Sequence, residues 1–226
     1  MTIPAAPAPI PTTRWLRRKD ARPAELLAAA LEVFVERGFA ATRLDEIATR
    51  AGVTKGTLYL YYPSKEELLK AVVRSGLVPM VREAESLAQT FPGPTSELMR
   101  NLARVWWSAI GATPLGGIAK LVIAEAGNFP EVAKLYHEEV IRPVSELIGR
   151  LLARGVAAGE FRSVDPDYMP RIAMAPLVML NLWMHSFSRH AQAPVDPERY
   201  LSAYLDILLA GLACPPAQGV GSCPNS

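Results

Sequence analysis

Lys55, Thr57, Tyr59 and Tyr61 fall within one short run, Thr54-Lys55-Gly56-Thr57-Leu58-Tyr59-Leu60-Tyr61. Their ammonium and hydroxyl groups can donate to phosphate oxygens and to base edges. A helix serving only as core would not expose so many of them. Leu58 and Tyr62, four apart, form an inner apolar edge by which the run could be held. Gly56 removes a side chain where a backbone has to come close to something. Upstream, Arg14, Arg17, Arg18, Lys19 and Arg22 face only Asp20, a basic arm able to follow phosphates or enter a minor groove.

The flanking residues predict how such a helix would be positioned. Leu44, Ile47, Ala48 and Ala51 share one helical face. Thr42 is placed to cap that helix, with Asp45 three residues on in near capping-box register. Gly52 follows where a helix end often needs positive φ, and Val53 plugs the turn. Thr54 caps the next helix, which runs to about Tyr61 and stops before Pro63. Ser64 with Glu67 is a capping box for a third. Before all of these, Pro23 starts and Gly38 ends a helix with Leu27, Leu31 and Phe34 inward. A helix, a tight turn and a short polar helix is the layout that places one helix in a major groove.

The segment from about Ala21 to Leu69 resembles the DNA-binding domain of the TetR/AcrR family of bacterial transcriptional regulators. The residues carrying the resemblance are Phe34, Gly38, Thr42, Ile47-Ala48, Ala51-Gly52-Val53, Lys55-Gly56, Leu58-Tyr59, Tyr61-Tyr62, Lys65 and Leu68. The chain departs from the family at Tyr61, often His, and at Tyr62, often Phe. The resemblance implies that Thr42 and Lys65 touch phosphates. It also implies that Thr54, Lys55, Gly56, Thr57, Tyr59 and Tyr61 face the groove.

The net charge of +2 is uninformative, but its distribution is not. Through Ser75 there are 12 Lys and Arg against 8 Asp and Glu; beyond it, 12 against 14. The excess lies on the part expected to meet a polyanion. Cys214 and Cys223 both lie in a Pro/Gly/Ser-rich tail where a disulfide would staple nothing, which suits a reducing cytoplasm. No apolar run is long enough to span a bilayer.

The rest of the chain reads as helices with no useful β-alternation. One linking helix covers 64–88, one runs from about Thr95 to Ile110, and another from about Leu115 to Gly127. A long one follows EAGNFPE, kinked at Pro143. An apolar one lies within 165–187, and the last spans Tyr200 to Leu212. The expectation is an all-α protein of about nine helices. It comprises a disordered leader and basic arm (1–20), a three-helix DNA-binding domain with a helix-turn-helix (21–68), a C-terminal ligand-binding and dimerisation domain (69–213) and a disordered tail (214–226).

Met99, Trp106, Phe129, Tyr136, Met174 and Trp183 are large or adaptable residues suited to lining a pocket for an apolar or aromatic small molecule; ordinary core is the alternative. Adjacent Trp106 and Trp107 cannot both face inward. Leu177, Leu180 and Met184, with Leu201, Leu205 and Leu208, form apolar stripes on the last two helices. The resemblance implies that these helices pair into a four-helix bundle, giving a homodimer that reads a palindrome. It further implies a regulator, most often a repressor, released by a small ligand.

No catalytic motif or cofactor site is evident. His137-Glu138 begins like a zinc-protease motif, but Ile141 stands where the second His would be. The sequence therefore points to a regulator and not an enzyme, with no metal. The competing reading is a small-molecule-binding or enzymatic α-bundle without specific DNA binding.

Overall fold

A computed structural model describes residues 12–188 and 194–214, with side chains from Arg22 onward. Among the described residues the chain is helical almost throughout, as expected. The α-helical segments are α1 (Thr12–Arg37), α2 (Leu44–Arg50), α3 (Lys55–Tyr61), α4 (Lys65–Gly76), α5 (Val78–Thr90), α6 (Thr95–Trp106), α7 (Gly117–Glu125), α8 (Pro130–Tyr136), α9 (Arg142–Ala157), α10 (Met169–Ser186) and α11 (Pro197–Leu212). Counting α4–α5 and α8–α9 as single rods, they make nine helices.

Several boundaries differ from the sequence reading. The first helix starts at Thr12, so Pro23 lies inside it. Its buried stripe is Leu26, Ala30, Val33 and Phe34, with Leu27 and Leu31 only partly covered at its margin. The linking helix breaks at Leu77, between α4 and α5. Pro79 causes this, because it has no N–H for the fourth carbonyl back and its ring crowds that turn. The expected kink at Pro143 takes the form of a π-helical turn, His137–Ile141, just before α9. A second π-turn, Trp107–Gly111, ends α6, and the chain then bends by 92° into α7. The leader through residue 11 and the tail from 215 lie outside the described residues. Cys214 is disulfide-bonded, against the expectation of a reduced thiol.

Two apolar clusters hold the fold. The first joins α1–α4 to α7 and α8, with Phe34, Phe39, Ile47, Leu58 and Leu68 packed beside Ile118, Leu121 and Val132. At this junction α1 and α7 meet so closely that a side chain at Gly117 would collide with Val35, and one at Gly76 would collide with Leu115. The Phe39 and Phe129 rings meet edge to face at 4.5 Å, and the Ala40 N–H donates to Glu125 Oε1 at 3.2 Å.

The second cluster gathers Leu98, Met99, Leu147, Leu151, Phe161, Leu208 and Leu212 from α6, α9, α11 and the loop after α9. Glu160 locks it from outside. Its carboxylate accepts from the Thr95 and Ser96 N–H groups at 2.7 and 3.1 Å, capping α6 from across the fold. Burial opposes its charge, but these bonds prevail and hold its pKa below the ordinary value. The hydroxyls of Tyr200 and Tyr204 on α11 donate to the Pro176 and Ala173 carbonyls of α10.

Packing within the chain covers most of the stripes expected at a dimer interface. Leu180, Leu201, Leu205 and Leu208 are buried, while Leu177 and Met184 are half-buried. Helix α10 has apolar residues on two sides. Packing against α7, α9 and α11 covers the side bearing Leu180, and leaves Ile172, Met179, Trp183 and Phe187 exposed.

Candidate nucleic-acid interface

Helix α3 is built as the sequence predicts. Gly38 and Gly52 carry φ of 81° and 63°, closing the turns after α1 and α2. The Thr54 side chain accepts from the Thr57 N–H at 3.2 Å, a true N-cap. Leu58 is fully buried and fixes which way the helix faces. Ser64 caps α4 through the Glu67 N–H at 3.1 Å. The box is only half closed, because the Glu67 carboxylate pairs with Lys70 at 3.0 Å instead of reaching back.

With Leu58 inward, α3 turns Lys55, Gly56, Tyr59 and Leu60 to solvent. Thr54 is also exposed, and Thr57 is partly so. A side chain at Gly56 would meet only Thr54 Oγ1, at 3.9 Å, so nothing inside the protein requires glycine there. Tyr61 is drawn further in than expected: it packs with Tyr62 against the first cluster, their rings 6.5 Å apart. Burial, with a smaller contribution from Tyr61, raises the Tyr62 pKa.

Lys55 has an internal partner. Its ammonium lies 2.7 Å from Asp45 Oδ1, and Arg43 approaches the same carboxylate at 3.7 Å. The hydrogen bond from Lys55 holds Asp45 below its ordinary pKa and raises Lys55. Both cations are exposed and Asp45 is half-buried, so an incoming phosphate can take either cation at little cost. Arg43, with its side chain 79% exposed at the start of α2, was missed in the sequence reading. The available signal was a basic residue directly before the helix.

Two residues expected to touch phosphates have partners inside the chain. Thr42 is 3% exposed, and its hydroxyl donates to the Gly38 carbonyl at 2.6 Å. It does not cap α2: that position belongs to Arg43, whose side chain makes no capping bond. Lys65 is turned inward as well. Its Nζ donates to the carbonyls of Phe39, Ala40 and Thr42 at 2.7, 3.1 and 3.2 Å and lies 4.6 Å from the Phe39 ring centre. All three ammonium donors are committed to fastening the α1–α2 loop. Arg17 and Arg18 fall on the first turns of α1, where side chains lie outside the description.

The residues expected to line a ligand pocket do not converge on one cavity. Phe129 and Tyr136 pack on the first cluster and Met99 belongs to the second. Burial pushes the Tyr136 hydroxyl up to about 12. Met174 Sδ accepts from Ser145 Oγ at 3.6 Å. Trp106 is half-buried beside Trp107, ring centres 6.0 Å apart, and Trp183 stacks near Phe187 on the exposed side of α10.

Comparison with known proteins decides the family. Residues 26–72 match the model for bacterial regulatory proteins of the tetR family, and residues 92–207 match the tetracyclin repressor-like C-terminal domain. The chain belongs to the TetR family. It is a transcriptional regulator of that family, which is not a family of enzymes. Among curated relatives, the HTH-type transcriptional regulator YfiR of Bacillus subtilis is 29% identical over 154 residues, 66% of this chain and 72% of that one. The HTH-type transcriptional activator FasR of Mycolicibacterium smegmatis is 51% identical over 69 residues, 29% of this chain and 32% of its own. Among solved structures, FadR of Bacillus subtilis in complex with stearoyl-CoA shares the fold. Its TM-score is 0.67 at 18% identity, covering 84% of this TetR-family chain and 98% of FadR. Among the described residues no single helix is long and apolar enough to cross a membrane.

Proposed function

We propose that this regulator binds a palindromic operator as a homodimer, reading each half-site with α3, and that a small apolar or aromatic ligand releases it. The carrying observation is the outward face of α3. Thr54, Lys55, Thr57 and Tyr59 offer donors there, beside a glycine that the fold itself does not need. Tyr61 contributes from the margin, and Arg43 takes the phosphate role expected of Lys65. The basic residues at 17 and 18 reach the adjoining backbone or minor groove.

The pairing surface is the exposed side of α10, with Ile172, Met179, Trp183 and Phe187 at spacings of seven, four and four, extended by Ile207 of α11. Dimerisation through it covers apolar surface otherwise left to water. The effector separates residues now committed to the two clusters, so its affinity is for a state with the bundle opened. It shifts DNA binding only by its preference for that state. Stearoyl-CoA in FadR is a ligand of a fold-mate; for this chain the ligand class rests on the apolar lining residues. The match to the activator FasR covers only 29% of this chain, and repression is proposed from the resemblance alone.

The test is a fluorescence-anisotropy titration against palindromes from the gene's own upstream region, with a scrambled duplex and varied salt. Tight, sequence-dependent binding with a steep salt slope supports the reading. Equal weak binding to every duplex, with or without extracts containing small molecules, refutes it.

A further inference from the structure

The part of α3 that points straight away from the protein is centred on a leucine. Leu58, fully buried, sets the zero of the helical wheel. At about 100° per residue, Leu60 lies about 200° further round and so faces directly outward. It is 86% exposed, more than any other large apolar side chain among the described residues. Gly56, one turn earlier, lies on the same outward line, where a side chain would make only ordinary contact with Thr54 Oγ1 at 3.9 Å. The most prominent line of the helix is therefore a recess followed by an apolar knob. The groups that can hydrogen-bond, on Thr57 and Tyr59, stand to either side.

This arrangement limits what the helix can read at its centre. A leucine gains nothing from a phosphate, and pressed against a bare donor or acceptor it would strip that group of water without replacing the bond. The apolar group that a B-form major groove presents is the methyl at C5 of a pyrimidine, the thymine methyl. Gly56 adds the depth, since without a side chain there the backbone can descend until a side chain as short as leucine touches the base edge. Other exposed apolar residues, such as those of α10, lie together in a stripe. Leu60 stands alone among polar neighbours, which suits contact with one small methyl group and not with a protein surface.

We propose that Leu60 is a specificity-determining residue that packs on a pyrimidine 5-methyl group in each half-site. The proposal rests on the DNA-reading function above and adds to it the identity of one base-reading contact. Burying one methyl-sized group corresponds to about fourfold in affinity per half-site, hence about fifteenfold for a symmetric duplex.

The experiment begins by enriching bound duplexes from a random library with the full-length protein. Each thymine of the selected site is then replaced symmetrically by deoxyuridine, and affinities are measured for the wild type and for Leu60→Ala. One position should lose about fifteenfold with the wild type and less than twofold with Leu60→Ala; other positions should affect both proteins alike. If the responsive position is a cytosine, 5-methyl-deoxycytidine there should tighten the wild type only, identifying methylcytosine as the source of the methyl. The variant should melt with the wild type, since Leu60 has no packing to lose. Equal responses of both proteins at every position, with operator binding intact, overturn the proposal and leave the DNA-reading function standing. Failure to enrich any duplex overturns that function and this inference with it.

Discussion

Lys65→Met should loosen the reading module without altering the count of phosphate contacts. Methionine keeps the length and apolar stem of the side chain and removes its three donors. Two of the lost bonds, to Phe39 and Thr42 at 2.7 and 3.2 Å, are partly buried, and the third, to Ala40 at 3.1 Å, is exposed. A charge-assisted bond contributes about 1.5–3 kcal/mol when well shielded, and much less in water. The cation over the Phe39 ring adds about 0.5–1 kcal/mol. Discounting for exposure and non-additivity, the loss should be about 3 kcal/mol. The assay is urea unfolding followed by far-UV circular dichroism, together with operator affinity at several salt concentrations. Lys65→Arg should restore little, because a planar guanidinium cannot aim three donors at carbonyls converging on one point. Wild-type stability in Lys65→Met, with a salt slope shallower by about one per subunit, would refute the argument. It would show that Lys65 leaves the loop and binds a phosphate.

Gly56→Ala should leave the fold unharmed or stabilise it by up to about 1 kcal/mol, yet cut operator affinity sharply; melting and anisotropy on the same sample separate the two effects. Met179→Arg with Ile172→Arg should yield monomers by light scattering, and persistence of the wild-type dimer would remove α10 from the interface. Glu160 titrates below its ordinary value of 4.5 in the folded chain, so its contribution is full above that value and is lost as the pH falls through the folded pKa. The urea-midpoint gap between wild type and Glu160→Gln should therefore be widest near neutrality and narrow as the pH falls below the ordinary carboxylate value; a gap constant with pH would contradict this.

What could be read in the sequence was local. Gly52, Thr54, Leu58 and Ser64 act through neighbours within a few residues, and each does what its spacing predicts. The internal partners of Thr42 and Lys65 were not legible, because they are carbonyls of the α1–α2 loop, gathered only once α4 docks. Lys65 lies 26 residues from Phe39. Periodicity showed that α10 and α11 carry apolar stripes, but α10 has more than one. Which side the monomer covers is settled by α7 and α9, far away in sequence. The break at Leu77 was legible in Pro79, but the apolar pattern running through it outweighed the proline. Ligand-lining residues were the least legible, since a large side chain in a core and one beside a cavity have the same spacing.

Most contacts between protein parts have play in them: long side chains swing to new rotamers, and an ångström of displacement on one side never arrives on the other. The joint between α7 and the reading module lacks this slack. Val35 rests on bare backbone at Gly117, and Leu115 on bare backbone at Gly76, so each contact has a flexible partner on one side only. Dense packing around them closes off the remaining escape. The corner between α6 and α7 therefore sits in direct van der Waals contact with α1 and α4. In the homodimer proposed above, that contact lies on the path between the C-terminal helices and α3. The two glycines differ in what they tolerate: at Gly117 an added side chain meets the short, branched Val35, whereas at Gly76 it meets the methyl end of Leu115, which can turn aside.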